Sequence, residues 1–459
     1  MSVFPRGRVI AHLVATLAAS AACSASQTSG SSGATPSDGT PSTLGAEIDA
    51  YFAPLVRSHD FAGAVLVARG DRILFEKGYG LADAERRVAN TPATAFRIAS
   101  ITKTFTAAAI VMLAERGVVR YADPLGKYLP DFPNGDRITI RHLLLHASGV
   151  ANPDYGQIAT TRLTLVELID RFKNKPLLFQ PGTRSQYSNA GYILLAAVIE
   201  QASGMSYSDF VRRNIVEPLG LQSTVPDLPG APITERALGY VPGPPPSGLR
   251  DVASYDMSAM MGSGVLVSTA RDLHRWARAV HGESLYRRTA LEYPYGWGVR
   301  KYFGRDLIEQ SGQLDGFTSY LGVYFADSTY VVCLTNIEAG LNDRCGKDLA
   351  AVAFAQPYER SSPSSASPAP VERATVTAAD TGRYLAADGG GFRLFMADGH
   401  AYVQWMTART AHYGIPVGRD SLVVRADRSM VVVERDAAGR TVALGRSWGG
   451  SPPARYIRQ

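Results

Sequence analysis

Two stretches without large apolar side chains divide this 459-residue chain into parts that we expect to fold separately. One covers residues 24–42, and the other is the Ser- and Pro-rich run over residues 361–370. Segments of this composition cannot bury enough apolar surface to offset the entropy lost on ordering. We therefore predict four regions after the N-terminus: a disordered tether (23–43), a first domain (44–356), a Ser/Pro linker (357–374) and a second, smaller domain (375–459).

The N-terminus has the pattern of an export signal. Arg6 and Arg8 precede a small, mostly apolar run that is too short to cross a bilayer as a permanent helix. We predict a signal peptide over residues 1–22 and an exported protein, periplasmic or in the cell envelope. Cys23 follows directly, as in a bacterial lipoprotein, but Ser20 stands where such signals usually carry Leu. A lipid anchor at Cys23 and plain cleavage both stay open.

Composition and charge indicate a globular protein. Of all residues 46% are hydrophobic, and the formal net charge of +6 is spread along the chain without a run of like charges. These values predict a sizeable core and argue against a nucleic-acid partner. In an exported protein Cys333 and Cys345 could pair, but Cys333 lies in an apolar run where a buried free thiol is equally compatible.

Apolar periodicity and turn residues give a coarse map of both domains. The first should contain a mainly helical region over residues 100–290 and a closing helix near residues 343–355. Its strands are predicted at residues 63–68, 72–78, 295–302, 318–325 and 329–335. After the linker, short apolar runs alternate with turn signals such as Asp398-Gly399, which predicts a small all-β barrel or sandwich.

Ser100 and Lys103 stand at the start of an apolar helical stretch. Their three-residue spacing places both on one helix face. A serine hydroxyl needs a base, and lysine serves as one only when it is deprotonated, which burial and nearby positive charge favour. A helix N-terminus also directs backbone N–H groups toward a developing oxyanion. The motif alone is weak, because an N-cap serine and an exposed lysine have the same spacing.

Tyr187 and Asn189 form a second motif, immediately before another helical pattern. We predict that Tyr187 works as a phenolate, with its pKa lowered by the positive charge of Lys103, and that Asn189 donates a hydrogen bond to the substrate. The alternative is that Ser188 or Asn189 is simply the N-cap of the helix.

Gln310, Ser311, Gly312 and Gln313 form a third motif, just before a predicted strand. A strand edge here could offer backbone groups to an extended substrate, and the glycine would let that substrate approach closely. The alternative is an ordinary glycine-containing turn.

In this order the three motifs resemble those of the serine β-lactamase and penicillin-binding superfamily. The branch is that of class C β-lactamases, D-alanyl-D-alanine carboxypeptidases and esterases, and the resemblance covers about residues 45–355. Residues 138–149, 262–273 and 316–319 look like the "TIRHLLTHTSG", "GGLVSTARDL" and "GFSS" segments of that branch. The resemblance implies an α/β (α+β) fold: a β-lactamase/transpeptidase-like antiparallel sheet flanked by helices, a helical subdomain, and a small C-terminal all-β barrel.

The resemblance also assigns roles. Ser100 becomes the nucleophile, Lys103 its proton-transfer partner, Tyr187 the general base and acid, and Asn189 a substrate amide contact. The backbone N–H groups of Ser100 and Gln313 would form the oxyanion hole. No metal or organic cofactor is implied, and the partner would be a small-molecule or peptide substrate.

Gln310 departs from the family pattern, in which the third motif begins with Lys or His. That residue helps to hold the carboxylate shared by β-lactams and by peptides ending in D-alanine. A neutral hydrogen bond is weaker than a charged one by about 1 kcal/mol, which corresponds to roughly fivefold weaker use of carboxylate-bearing substrates. Arg300 or Arg305 could compensate. We expect poor β-lactam turnover and a preference for an ester or neutral amide.

His142 and His146 have the spacing of two zinc ligands, but Leu143 stands where a zincin has Glu, so we interpret both as structural. The sequence thus predicts an exported serine hydrolase and does not separate β-lactamase, D,D-carboxypeptidase, D-aminopeptidase and carboxylesterase activity. The alternative is a non-turnover protein, either a penicillin-binding sensor or a degenerate envelope scaffold. The oligomeric state stays open.

Overall fold

The computed structural model describes most of the chain from residue 41 to residue 459. Residues outside the description are 1–40, 245–247, 283, 288–292, 340, 359–375, 387–389, 407 and 448–451. The predicted signal peptide, Cys23, most of the predicted tether and most of the predicted linker therefore lie outside the described residues. Among the helices that the structure describes, none combines the length and the apolar character needed to cross a membrane.

A six-stranded antiparallel sheet is the centre of the first domain. Its strands are β1 (Gly63–Arg69), β2 (Arg72–Tyr79), β10 (Gly298–Tyr302), β11 (Arg305–Leu314), β12 (Phe317–Tyr324) and β13 (Thr329–Thr335). They lie in the order β10-β11-β12-β13-β1-β2, so β1 joins the N-terminal hairpin to the later strands. Strands β12 and β13 are buried along their whole length, because helices cover both faces of the sheet.

Strand β11 is the main difference from the sequence prediction, which placed a turn or a strand edge at residues 310–313. The structure incorporates all four residues in β11, with Gln310 opposite Leu321 and Gln313 opposite Thr318 on β12. Polar residues and glycine have low strand propensity, so the local sequence gave no strand signal. The pairing with β12 overrides that propensity.

Helices cover the sheet on both sides. On one face α1 (Pro41–Arg57) and α10 (Asn342–Ala353) pack in one apolar cluster with β1 and β13. On the other face lie α2 (Thr102–Glu115), α9 (Ala270–His281) and the helical subdomain. The remaining helices are α3 (Ile140–Leu144), α4 (Tyr155–Ile158), α5 (Leu165–Asp170), α6 (Asn189–Ser203), α7 (Tyr207–Val211) and α8 (Glu217–Leu219).

Short strands connect these helices to the sheet. They are β3 (Leu81–Asp83), β4 (Val88–Ala89), β5 (Phe96–Arg97), β6 (Val225–Pro226), β7 (Tyr240–Pro242), β8 (Leu249–Asp251) and β9 (Leu266–Ser268). Strand β9 lies between β5 and β6, and this small sheet holds the chain immediately before Ser100.

A disulfide joins Cys333 on β13 to Cys345 on α10. Both residues are buried, with Cα atoms 6.3 Å apart. The structure thus selects the paired state from the two alternatives that the sequence left open, and the bond ties α10 to the centre of the sheet.

The C-terminal part is a closed antiparallel barrel, as the alternating apolar runs and turns predict. Its strands are β14 (Gly382–Leu385), β15 (Gly391–Ala397), β16 (His400–Trp405), β17 (His412–Gly418), β18 (Ser421–Val424), β19 (Ser429–Arg435), β20 (Thr441–Ser447) and β21 (Ala454–Arg458). Closure leaves no exposed sheet edge. Inward-facing side chains such as Tyr384 and Phe392 fill the interior.

The barrel contacts the first domain at several places, and two of these contacts involve buried or partly buried carboxylates of the first domain. Arg425 forms a buried ion pair with Asp60, at 3.2 Å. The segment between β16 and β17 reaches the end of β11, where the Thr410 hydroxyl donates to Asp315 at 2.6 Å. The second contact brings the barrel close to the motif at residues 310–313.

Candidate active site

Ser100 lies in a 3₁₀ turn, Ala99–Ile101, that leads directly into α2. The preceding residue, Ala99, has φ of 44°, a left-handed conformation that is uncommon for a residue other than glycine. Such strain persists only where surrounding structure enforces it, and it is concentrated at functional sites. Here it orients Ser100 toward the gap between α2, α6 and β11.

Lys103, in the first turn of α2, is completely buried and contacts Ser100 directly. Its Nζ is 3.0 Å from Ser100 Oγ, 2.8 Å from Asn189 Oδ1 and 2.8 Å from the Ser263 carbonyl oxygen. Burial lowers the pKa of Lys103 well below its ordinary value. A neutral amine has two N–H donors, which the two carbonyl oxygens accept, and its lone pair then faces the Ser100 hydroxyl.

Tyr187 approaches Ser100 from the opposite side. Its hydroxyl donates to Ser100 Oγ at 2.6 Å, whereas Lys103 Nζ lies 4.8 Å from the centre of the Tyr187 ring. Although 52% of Tyr187 is exposed, desolvation raises its pKa to about 12. This direction is opposite to the lowered pKa predicted from the sequence, because desolvation outweighs the lowering effect of the hydrogen bond to Ser100.

Asn189 is the first residue of α6, and Ser188 is the N-cap, with Oγ accepting from the Gly191 N–H at 3.1 Å. The N-cap interpretation is thus confirmed for Ser188. Ser188 caps the helix and thereby leaves the Asn189 side chain to contact Lys103. The substrate contact predicted for Asn189 stays a prediction.

Strand β11 closes the site from the sheet side. Gln310 Nε2 donates to the Ser100 carbonyl oxygen at 3.2 Å. A Cβ at Gly312 would stand 2.4 Å from the Ile98 carbonyl oxygen and 2.8 Å from the Ser100 nitrogen, so only glycine allows this approach. The next residue is Gln313, so the two backbone N–H groups predicted to form the oxyanion hole lie on chain segments in direct contact.

The side chains of Ser311 and Gln313 are held differently. Gln313 Nε2 donates to Glu338 at 2.8 Å. Ser311 is in register with Tyr320, so strand alternation places its side chain on the opposite face from Gln310. The structure thus brings Gln310 and Gly312 to Ser100, while a substrate contact by the Ser311 side chain remains a prediction.

Arg300 and Arg305 are both engaged away from Gln310. Arg300 pairs with Glu309 at 3.5 Å, and Arg305 pairs with Asp327 at 3.1 Å. Arg305 is five residues from Gln310 on the same strand, a separation of roughly 17 Å. Neither arginine supplies the charge that Gln310 lacks.

His146 is a residue whose place in the site the sequence did not reveal. Its carbonyl oxygen accepts from the Gln186 N–H at 2.9 Å, and its Nδ1 accepts from the Ser188 N–H at 3.1 Å. These bonds hold the backbone on both sides of Tyr187, whose ring lies 4.7 Å from the imidazole. Burial lowers the pKa of His146 to about 4, so the ring is neutral and Nδ1 can accept.

His142 has no such role. Its Nδ1 accepts from the Thr139 N–H in a capping box at the start of α3. Among the described residues, no group of three or more His, Cys, Asp and Glu side chains is placed to hold a metal ion. The sequence did not reveal that the Ser263 carbonyl oxygen contacts Lys103, although Ser263 lies in the segment 262–273, which resembles a segment of the family.

Comparisons with known proteins agree with this geometry. A family model described as "Beta-lactamase" matches residues 48–356. Penicillin-binding protein 4* of Bacillus subtilis (strain 168) is 31% identical over 353 residues, covering 68% of this chain and 76% of that protein. A D-aminopeptidase of Gluconobacter oxydans (strain 621H) is 28% identical over 419 residues, with coverages of 84% and 76%.

One solved structure resembles nearly the whole chain. An octameric penicillin-binding protein homologue from Pyrococcus abyssi has a TM-score of 0.60 at 22% identity, covering 91% of this chain and 99% of that one. At this identity the similarity concerns the fold. Because it covers most of both chains, the arrangement of a first domain followed by a barrel occurs in both structures.

Proposed function

Because the chain belongs to the β-lactamase family and is a serine hydrolase of the β-lactamase and penicillin-binding type, we propose that it cleaves amides or esters that lack a carboxylate beside the scissile bond. Amides and peptides of D-amino acids are the substrate class that we favour, in line with the D-aminopeptidase relative. The observation that carries the proposal is the uncharged surrounding of Ser100, made by Tyr187, Asn189 and Gln310.

The hydrogen bonds around Ser100 support a direction for the proton. Ser100 Oγ accepts from the Tyr187 hydroxyl, and Lys103 Nζ lies 3.0 Å from the same oxygen, where its neutral form can take the Ser100 proton. In the proposed reaction Lys103 takes the Ser100 proton as Oγ attacks the carbonyl carbon. Tyr187 is then the nearest hydroxyl to the leaving group and gives it a proton as the bond between the carbonyl carbon and the leaving group breaks. The Lys103 ammonium returns the proton to the Tyr187 oxygen. The net result is an acyl-enzyme on Ser100, which water hydrolyses.

The same residues argue for a substrate without a carboxylate at this position. Lys103 is buried and its pKa is lowered, so it offers no charge to a carboxylate. The Gln310 amide nitrogen has two N–H donors, of which one is directed at the Ser100 carbonyl oxygen, and the group carries no charge. A substrate carboxylate placed here would lose hydration without meeting a cation, which is unfavourable.

We also propose that the enzyme acts outside the cytoplasm, in the periplasm or the cell envelope. The export pattern of residues 1–22 and the Cys333–Cys345 disulfide support this location, since disulfides persist in oxidising compartments. A lipid anchor at Cys23 is part of the same proposal and is testable by metabolic labelling with a fatty acid.

The test is a substrate panel of D-alanine p-nitroanilide, a short-chain p-nitrophenyl ester, a D-alanyl-D-alanine peptide and nitrocefin. We expect the first two to have the higher kcat/KM, and Ser100→Ala to be inactive on all. Gln310→Lys should raise kcat/KM on nitrocefin about fivefold relative to the anilide. A wild-type kcat/KM on nitrocefin well above that on the ester or anilide would overturn the preference for substrates without a carboxylate.

A fluorophosphonate probe tests the alternative of a scaffold without turnover. We expect the probe to label the wild type but not Ser100→Ala. Absence of labelling in a folded wild-type protein would favour the degenerate scaffold. Labelling with no release of a substrate-derived acyl group would favour a sensor.

A further inference from the structure

Three arginines of the barrel converge on one concave pocket that the proposed reaction does not use. The pocket has a volume of about 450 Å³ and lies between the barrel and the start of α4. On the barrel side it is lined by Arg383, Arg393 and Arg409, together with Trp405. On the side of the first domain the only acidic lining residue among the described ones is Asp154.

The arrangement of these arginines has an electrostatic cost. Arg383 and Arg393 are exposed and lie directly opposite each other on β14 and β15, and like charges in such a cross-strand pair destabilise a sheet. Within the described part of the chain, no carboxylate lies within ion-pair distance of Arg383, Arg393 or Arg409. A bound anion would offset that repulsion.

Hydrogen bonds orient two of the guanidinium groups. Arg393 donates to Gln404 Oε1 at 3.0 Å and lies 4.4 Å from the Phe395 ring centre. Gln404 Nε2 donates to the Arg409 carbonyl oxygen at 2.7 Å, and Arg409 donates to the Ser254 carbonyl oxygen at 2.7 Å. Oriented planar guanidinium groups suit bidentate recognition of carboxylates.

The pocket lies beside the catalytic cleft. Asp154 and Gly156 line it, and two residues before Asp154 the Asn152 side chain accepts from the Ala190 N–H at 2.9 Å, at the start of α6. Asn189, which contacts Lys103, is the residue immediately before Ala190. The segment that lines the pocket is thus hydrogen-bonded to the start of the helix that carries Asn189.

We propose that this pocket binds an acidic peptide through its side-chain carboxylates. Three arginines provide anion recognition, while Trp405 and the Met406 beside it suit the methylene stem of a glutamate side chain. Asp154 on the opposite wall suits a peptide N–H or ammonium donor, which a phosphate polymer lacks. The site goes beyond the proposed reaction, and binding there does not require turnover.

The test is fluorescence anisotropy with fluorescein-labelled hexaglutamate and hexaglutamine on the full chain. We expect hexaglutamate to bind more tightly, and Arg393→Gln to weaken its binding about tenfold. The matched control is Arg419→Gln, which removes the same charge from an exposed position of the barrel outside the pocket. This control should change Kd less than about twofold, with thermal melting showing that both variants are folded.

Three results would overturn the proposal. Equal binding of the two peptides would show that carboxylates are not recognised. Equal loss in Arg393→Gln and Arg419→Gln would show only attraction to a basic surface. Tighter binding of an oligo-glycerol-phosphate probe than of hexaglutamate would reject the peptide as ligand. Because no turnover is measured, an inactive enzyme would leave this result interpretable.

Discussion

At the scale of single residues, the chemistry of the site depends on which of two neighbouring groups, Lys103 or Tyr187, loses its proton. Lys103 is buried with two carbonyl acceptors and no carboxylate contact among the described residues, so its neutral form is favoured. Tyr187, whose hydroxyl is also desolvated, keeps its proton. The Ser100 hydroxyl therefore lies between the amine of Lys103 and the O–H donor of Tyr187. A nucleophilic serine needs such a base on one side of its hydroxyl.

The pH dependence follows from the two pKa directions. The pKa of Lys103 is lowered, so kcat/KM should fall as the pH drops through that lowered value and level off above it. With a Tyr187 pKa of about 12, no basic limb from this group is expected up to about pH 10. The measurement is kcat/KM for D-alanine p-nitroanilide against pH, with Tyr187→Phe expected to lower it by about 10²- to 10⁴-fold. A rise between pH 8 and pH 10 that Tyr187→Phe abolishes would instead support a phenolate base.

His146 should act as a positioning residue for Tyr187. His146→Phe keeps a ring but removes the acceptor for the Ser188 N–H, and we expect kcat to fall about tenfold with little change in KM. His146→Asn offers an acceptor at the same distance from the backbone and tolerates the φ of 56°, so kcat should stay within about threefold. His142→Asn is the control, since His142 accepts a backbone N–H away from the site. Equal activity of His146→Phe, His146→Asn and His142→Asn would contradict a positioning role for His146.

At the scale of elements, strand β11 and α2 must approach more closely than side chains normally permit. The segment from Ile98 to Ser100 lies directly against Gly312, and β10 pairs only with residues 305–309 of β11. Beyond that point the described part of the chain places a strand neighbour of β11 on one side, β12. The other side of β11 therefore borders the cleft, as expected for a strand that receives an extended substrate.

Gly312→Ala tests this close approach. The added Cβ would push β11 away from Ser100, and we expect a loss of about 1–3 kcal/mol in the free energy of unfolding and a fall of more than about tenfold in kcat/KM. Gly298→Ala on β10 is the matched control, because its Cβ would lie 3.5 Å from the nearest atom. This change should alter stability by less than about 0.5 kcal/mol. Urea unfolding and anilide hydrolysis measure the two quantities, and wild-type activity in Gly312→Ala would refute the argument.

At the scale of the whole molecule, the barrel is attached through contacts that are buried and polar. Arg425 and Asp60 are 7% and 0% exposed, so the ion pair between them is desolvated. Removing one partner of such a pair leaves the other charge buried, which is more costly than losing an exposed pair. The second contact, from Thr410 to Asp315, connects the barrel to the end of β11.

Arg425→Met should therefore destabilise the docked barrel by about 3 kcal/mol. Arg455→Met is the control, because Arg455 pairs with Glu434 on the barrel surface and should contribute less than about 1 kcal/mol. Urea unfolding of the full chain, followed by tryptophan fluorescence, measures both. If the two variants lose equal stability, the Arg425–Asp60 contact does not hold the barrel.

The sequence by itself determined the family, the order of the two domains and the identity of the central residues. Ser100, Lys103, Tyr187 and Asn189 could be named because the three motifs, in their order along the chain, resemble those of the family. The strands over residues 63–68 and 329–335 were predictable from the local sequence, since their apolar residues are continuous.

Only the tertiary structure decided how those residues share protons and what surrounds them. The burial of Lys103, the raised pKa of Tyr187 and the two bonds from His146 all depend on elements distant in sequence. The same holds for β11, whose polar residues become a strand through pairing with β12, and for the arginine pocket, which forms where the barrel meets α4. Desolvation and strand pairing are set by neighbours in space, which local sequence patterns do not specify.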